Sequence, residues 1–175
     1  MPAGFHVSQP LIIEAGQFIT YASINAAFDA KEPTPEDVKK IKVTATALVR
    51  GKEVSKNVGS FAELKLAAAP NILVAIGPDE GDSVKVEAPD FGQMNPLKLT
   101  ITPGETITAR VHIQRNNDFN GRVGFEAITH NLPHGIIVDN VGLSGLLIVE
   151  GKSQRKFFLT AADWVPEQTR VFHLR

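Results

Sequence analysis

The chain has 175 residues, no cysteine and a formal net charge of −1. The lack of cysteine excludes disulfides and thiolate-ligated metals, and the scattered lysines and arginines form no basic stripe for binding nucleic acid. No apolar run approaches the roughly 20 residues that span a bilayer, and the length allows one or two domains.

The first informative segment is residues 11–20, which aligns with residues 99–108 at a constant offset (104 − 16 = 88). In each copy an alternating apolar run precedes a glycine, Gly16 or Gly104, and a second alternating run follows. A bulge near Tyr21 would explain why the alternation changes phase after the first copy, and a chance alignment is the alternative explanation. The repeat predicts two tandem β-domains, residues 1–90 and 91–175.

A short helix is predicted to begin at Thr34, which precedes a proline and two acids, and to end near Lys40. The alternating run 41–49 predicts a half-buried strand. The turn Arg50-Gly51-Lys52 predicts a hairpin with the residues that follow. Residues 64–67 favour a strand, although the capping-box pattern before them would also allow a helix.

An acidic turn follows the predicted strand 72–76. It holds Asp79, Glu80 and Asp82, whose hard oxygen atoms suit Ca²⁺. Three local acids are too few for a complete calcium shell, so the alternative is a solvated hairpin. Proline, glycine and polar residues then cluster over 88–96, where we place the domain boundary.

In the second half, alternation along residues 106–114 predicts an antiparallel strand with one apolar face. We expect the inner faces of this domain to include Ile107, Val111, Ile113, Val123 and Phe125. The opposite face of the same strand carries four polar residues. This face is either a binding surface or the solvated side of the sheet; its members are Thr108, Arg110, His112 and Gln114.

Trp164 is the single tryptophan and lies between the last two predicted strands. An exposed aromatic ring at such a place could serve as a platform for a sugar face. Alternatively, the ring covers the open end of the core. The scarcity of tryptophan and tyrosine counts against a glycan-binding surface.

No catalytic constellation stands at motif spacing. Gly142-Leu143-Ser144-Gly145 lacks the second glycine of a G-x-S-x-G nucleophile elbow, and no helix pattern follows it. His130 and His134 are four residues apart, but Pro133 between them indicates a loop rather than a helical metal site. We therefore expect a protein that is not an enzyme and needs no cofactor, with calcium as the possible ion.

The turn and strand motifs of the second half follow in the order 99–108, Gly121-Arg122-Val123, 131–136, 148–153, 158–162 and Val165-Pro166-Glu167. This order resembles bacterial immunoglobulin-like or fibronectin-III-like accessory domains of large extracytoplasmic proteins. The resemblance implies a β-sandwich with a spacer, adhesion or substrate-binding role. The fold expected is all-β, with two tandem antiparallel sandwiches of immunoglobulin-like topology and little helix.

The expected fold and the lack of catalytic motifs predict a binding or spacer function. The chain is read as a non-catalytic interaction or spacer module of a bacterial cell-surface or periplasmic protein, and the alternative is a carbohydrate-binding module of a secreted hydrolase. Its partners would be other domains of the same polypeptide, a surface protein or a polysaccharide. The candidate ligand-binding residues are Trp164, Arg110 and His112. The pattern over 169–174 suggests a truncated last strand and a targeting signal outside this fragment.

Overall fold

The computed structural model describes residues 1–79, 97–125, 129–139 and 146–174. Within these ranges strands dominate and the single helix has five residues, which confirms the all-β class. The elements in chain order are β1 (Phe5–Val7), β2 (Ile24–Ala26), α1 (Pro35–Lys39), β3 (Val43–Val49), β4 (Lys52–Gly59), β5 (Ile72–Pro78), β6 (Thr106–Arg115), β7 (Val123–Phe125), β8 (Thr129–His130), β9 (Ile136–Asp139), β10 (Leu146–Ile148), β11 (Gln154–Ala161) and β12 (His173–Leu174).

The chain forms two compact units, one of residues 1–7 and 23–68 and the other of residues 8–22 and 69–175. The predicted boundary at residue 90 lies outside the described residues. The ranges 1–90 and 91–175 therefore stay a prediction. In the structure β5 belongs to the second unit, because it pairs antiparallel with β6. That pairing sets Val74 opposite Ile113 and Ile76 opposite Val111, so apolar cross-strand contacts attach β5 to the second unit.

The first unit buries few apolar side chains. In this unit β1 pairs with β2, and α1 begins at the predicted cap, where Asp37 N donates to Thr34 Oγ1 over 3.2 Å. Asp37 Oδ2 accepts in return from Thr34 N over 3.3 Å, which completes a capping box. Its buried apolar residues, among those described, are Phe5, Val38 and Ile41.

A two-stranded hairpin of β3 and β4 extends the first unit. The two-residue turn at Arg50 and Gly51 has φ angles of 52° and 77°, as a type I′ turn requires, and it sets Val49 opposite Lys52. The hairpin prediction is confirmed. The half-buried face predicted for residues 41–49 is not, because every residue of β3 is exposed.

The second unit has one main sheet, in the order β5-β6-β11-β9. The alternation of β6 places Ala109, Val111 and Ile113 on one face, and all three are buried. They form one apolar cluster with Phe157 and Leu159 of β11 and with the buried side chains of a second pair of strands, β7 and β10. The residues that this pair contributes are Val123, Phe125, Leu146 and Ile148.

The two copies of the predicted repeat share a turn rather than a pair of strands. Gln17 N donates to Glu14 O over 3.0 Å, and Glu105 N donates to Thr102 O over the same distance. The central glycines, Gly16 and Gly104, both have φ of 82°, as position three of a type II turn requires. Residues 11–20 form no strand, and residues 64–67 form none either, so those strand predictions were wrong.

Candidate functional site

The polar face of β6 is the place where the structure concentrates buried charge. Because side chains alternate along a strand, Arg110 and His112 point away from the apolar cluster. Both are nevertheless buried, with only 7% and 4% of their surface exposed. The interpretation of this face as the solvated side of the sheet therefore fails at these two positions.

The strand register places an acidic side chain and a second cationic side chain beside Arg110. Gly77 of β5 and Lys156 of β11 stand opposite Arg110 on either side, and Asp79 follows β5 directly. Asp79 Oδ1 accepts from Arg110 Nε over 2.7 Å, and Asp79 Oδ2 lies 3.0 Å from Lys156 Nζ. We call Asp79, Arg110 and Lys156 the charged sheet cluster.

His112 lies beside this cluster with an unusual environment. Its Nε2 atom is buried and has no hydrogen-bond partner among the described residues. A β-carbon at Gly77 would lie 2.9 Å from that nitrogen, so the glycine makes room for the ring. Burial, and then the positive charge of Arg110, lower the pKa of His112. The imidazole is therefore neutral at neutral pH.

The cluster joins residues that the sequence had assigned to two separate sites. Asp79 was a candidate calcium ligand, whereas Arg110 and His112 were candidate ligand-binding residues. In the structure both carboxylate oxygens of Asp79 face cationic side chains, which compete with a metal ion for them. Glu80 and Asp82 lie outside the described residues, and the described part of the chain holds no group of three His, Asp or Glu suited to a metal.

Trp164 occupies a different place in the second unit. It is 57% exposed, and its ring centroid lies 5.2 Å from that of His134. A β-carbon at Gly135 would come within 2.6 Å of Trp164 Cη2, so this glycine, at φ of 90°, lets the indole lie against the backbone. The ring therefore presents part of its surface outward, as a platform would.

A histidine pair that sequence reasoning missed lies on β8 and β12. His130 stands opposite His173 in the pairing of these strands, and Ser8 Oγ lies 3.3 Å from His173 Nε2. Burial, and then the charge of His130, lower the pKa of His173. The pairing joins residues 43 positions apart (173 − 130). Each strand has two residues, which is too short for the sequence to show an alternating pattern.

Residues 8–22 are fastened to the second unit by side chains. Asn131 donates through Nδ2 to Tyr21 O over 2.6 Å and accepts through Oδ1 from Tyr21 N over 2.9 Å, while the Tyr21 and His130 ring centroids lie 4.0 Å apart. Near the middle of the segment, Arg170 Nη2 lies 2.9 Å from Glu14 Oε1. We call residues 8–22 the N-terminal strap.

The N-terminal strap exposes large apolar side chains on both sides of Glu14. Phe18 is the extreme case, with 92% of its surface exposed. The large apolar residues of the strap that are exposed are Leu11, Ile12, Ile13, Phe18, Ile19 and Tyr21. Sequence alternation had suggested that these residues form strands with an inward face.

Comparisons with known proteins add no identity to this picture. The chain has no significant match to any family model, curated protein or solved structure. Within the described ranges, the one helix falls far short of the length needed to cross a bilayer.

Proposed function

We propose that this chain is a non-catalytic interaction module of a larger bacterial cell-surface or periplasmic protein, and that its second unit is a β-sandwich of immunoglobulin-like topology. The sandwich proposal is supported by the single apolar cluster that joins the four-stranded sheet to the β7–β10 pair. Such a scaffold holds its surface segments in place without chemistry of its own.

The row of exposed apolar side chains on the N-terminal strap is the observation that carries the proposal. Large apolar side chains exposed close together along the chain are candidates for association with another protein. The Asn131 and Glu14–Arg170 contacts fasten the strap at two points, so fewer conformations are lost when a partner binds. A protein surface is therefore the partner that this segment suits.

The partners of two described ionisable groups in the second unit support a structural role for these groups. Asp79 has a cation on each oxygen. His173, which has a serine hydroxyl beside it, faces another histidine across the strand pair instead of a carboxylate that would orient it. These arrangements support the proposal of a protein that is not an enzyme.

Site-specific photo-cross-linking tests the interaction role. A benzophenone amino acid at Phe18, expressed in the source organism, should yield a discrete adduct with one protein on irradiation. The control places the same group at Val149, an exposed apolar residue of the second unit outside the strap. No adduct at Phe18, or the same adducts from both positions, would contradict the proposal. Fractionation of the same cells tests the extracytoplasmic location.

A carbohydrate-binding role is the second candidate, and the exposed face of Trp164 favours it. Because this is the only tryptophan, intrinsic fluorescence reports on the site directly. Titration with soluble β-glucan, xylan and galactomannan should shift the emission of a sugar-binding protein, and Trp164→Ala should abolish binding measured by affinity electrophoresis. Unchanged emission with all three polymers would remove this candidate.

Calcium is tested by thermal unfolding with Ca²⁺ and with EDTA. A ligand that binds only the folded state must raise the midpoint of unfolding. A rise with Ca²⁺ that is lost in Asp82→Asn would support the acidic turn as the binding site, whereas equal midpoints would argue against it.

A further inference from the structure

The two strands of the exposed hairpin differ in charge. β3 is seven uncharged residues, Val-Thr-Ala-Thr-Ala-Leu-Val, without glycine or proline, and all seven are exposed. β4 carries Lys52, Glu53 and Lys56. Proteins protect the edges of their sheets with charged residues, and an uncharged edge with high β-propensity is a template for another strand. Within the described residues, β3 pairs with β4 alone.

The geometry of the turn shows which backbone groups of β3 are available. A two-residue hairpin closes with a hydrogen-bonded pair, here Val49 and Lys52. Hydrogen-bonded positions then recur at every second residue, so Ala45 and Ala47 also bond to β4. The N–H and C=O groups of Thr44, Thr46 and Leu48 consequently point away from the hairpin.

We propose that β3 pairs antiparallel with β3 of a second copy of this chain, about a two-fold axis at Thr46. In this register Thr46 stands opposite Thr46 of the second copy, and Thr44 stands opposite Leu48. These are the positions whose backbone groups are available, so each bonds to its counterpart. Ala45 stands opposite Ala47 at the intervening close pairs, where small side chains fit the short separation.

A second copy fits this edge because the segment is complementary to itself. No charge falls inside the paired stretch, and the backbone pattern is the same when the strand is reversed about Thr46. The resulting four-stranded sheet would have the charged β4 on both outer edges, which stops further addition. The assembly is therefore a closed dimer rather than a fibre.

Charge at the ends gives the dimer a distinctive salt response. Lys42 and Arg50 flank the paired stretch, so the antiparallel arrangement brings Lys42 of each copy close to Arg50 of the other, and these like charges oppose pairing. Salt screens this repulsion. The dimer should therefore tighten as ionic strength rises, whereas an association held by ion pairs would weaken.

Sedimentation equilibrium of the full chain tests the proposal with a matched pair of variants. Thr46→Lys places two charges at the axis and should lower the association constant at least tenfold. Ser55→Lys is the control, because Ser55 stands opposite Thr46 on β4 and shares its 2.7 Å side-chain hydrogen bond. The control should stay within twofold of the parent protein. A monomeric parent, or equal losses in both variants, would overturn the proposal.

A covalent test does not depend on how the lysine variants fold. Because the chain has no cysteine, Thr46→Cys carries a single thiol, and opposed residues in a hydrogen-bonded pair lie within disulfide range. Mild oxidation should convert most of Thr46→Cys to a cross-linked dimer and leave Ser55→Cys largely monomeric. Equal cross-linking would contradict the register.

The inference does not rest on the proposed function. It concerns the hairpin of the first unit, whereas that function rests on the N-terminal strap and Trp164 of the second. Loss of the Phe18 adduct with an intact dimer, or the reverse, therefore tells the two proposals apart.

Discussion

Because Gly135 has no side chain, the Trp164 ring can pack closely against its backbone. A β-carbon there would approach Trp164 Cη2 to 2.6 Å and Val165 Cγ2 to 2.7 Å, at a φ of 90° that disfavours any other residue. We expect Gly135→Ala to destabilise the protein by about 2 to 3 kcal/mol through overpacking and backbone strain. Denaturant unfolding measures the loss, and the tryptophan emission should change with it.

Gly151→Ala is the matched control for that substitution. Gly151 has φ of 72° but nothing within 4 Å of an added β-carbon. It should therefore lose only the backbone contribution, about 1 kcal/mol. Equal losses at the two glycines would show that the contact with Trp164 carries no weight.

His112 gives the protein a pH-dependent stability. Because burial and Arg110 lower its folded pKa below the ordinary value of 6.5, the unfolded chain binds more protons between those two values. The free energy of unfolding should therefore fall as pH drops from 7.5 through 6.5 and level off below the folded pKa. The prediction is checked by denaturant unfolding at pH 7.5, 6.5 and 5.5.

Two substitutions test how much each histidine contributes to this pH dependence of stability. His112→Gln should flatten part of it, and His173→Gln should flatten another part, because the pKa of His173 is lowered as well. An unchanged slope in His112→Gln would contradict the assignment of His112 as a neutral buried base.

At the scale of elements, the charged sheet cluster links β5, β6 and β11. Asp79→Asn would remove the carboxylate that faces both Arg110 and Lys156, and removing one partner of a buried ion pair costs about 3 kcal/mol or more. The control is Glu150→Gln, which removes an exposed ion pair with Arg122 of 3.1 Å; solvent screens such pairs, so this variant should lose much less stability. Similar losses in the two variants would mean that the cluster is not the structural link inferred here.

The local features of the strands and the helix were predictable from the sequence, whereas the pairing of distant strands was not. The inward face of β6 was predicted correctly from alternation, since Val111 and Ile113 are both buried. The cap at Thr34 and the turn at Arg50 and Gly51 were predicted because their signals lie within four residues. The pairing of β5 with β6 was not predicted, because it joins residues 31 to 43 positions apart (109 − 78 and 115 − 72) and no local signal identifies the partner strand.

At the scale of the whole molecule, the two units should differ in local stability. The first unit buries Phe5, Val38 and Ile41, whereas the second has a continuous apolar cluster. In the monomer at high dilution, amide hydrogens of β3 and β4 should therefore exchange with solvent at least a hundredfold faster than those of β6 and β11. Hydrogen exchange followed by mass spectrometry measures this, and equal protection of both sets of strands would contradict it.

The sequence by itself determined the local conformations of this protein. Alternation selected the strands β3 and β6, although not a strand over residues 11–20. Glycine at positive φ selected the shared turns at Gly16 and Gly104, and proline after a cap selected α1, because each of these depends on neighbouring residues alone. Only the tertiary structure decided which strands pair, why Arg110 and His112 are buried, and why β3 is exposed. Those outcomes depend on what distant segments place beside a side chain, and the same alternation is compatible with a buried face or a solvated one.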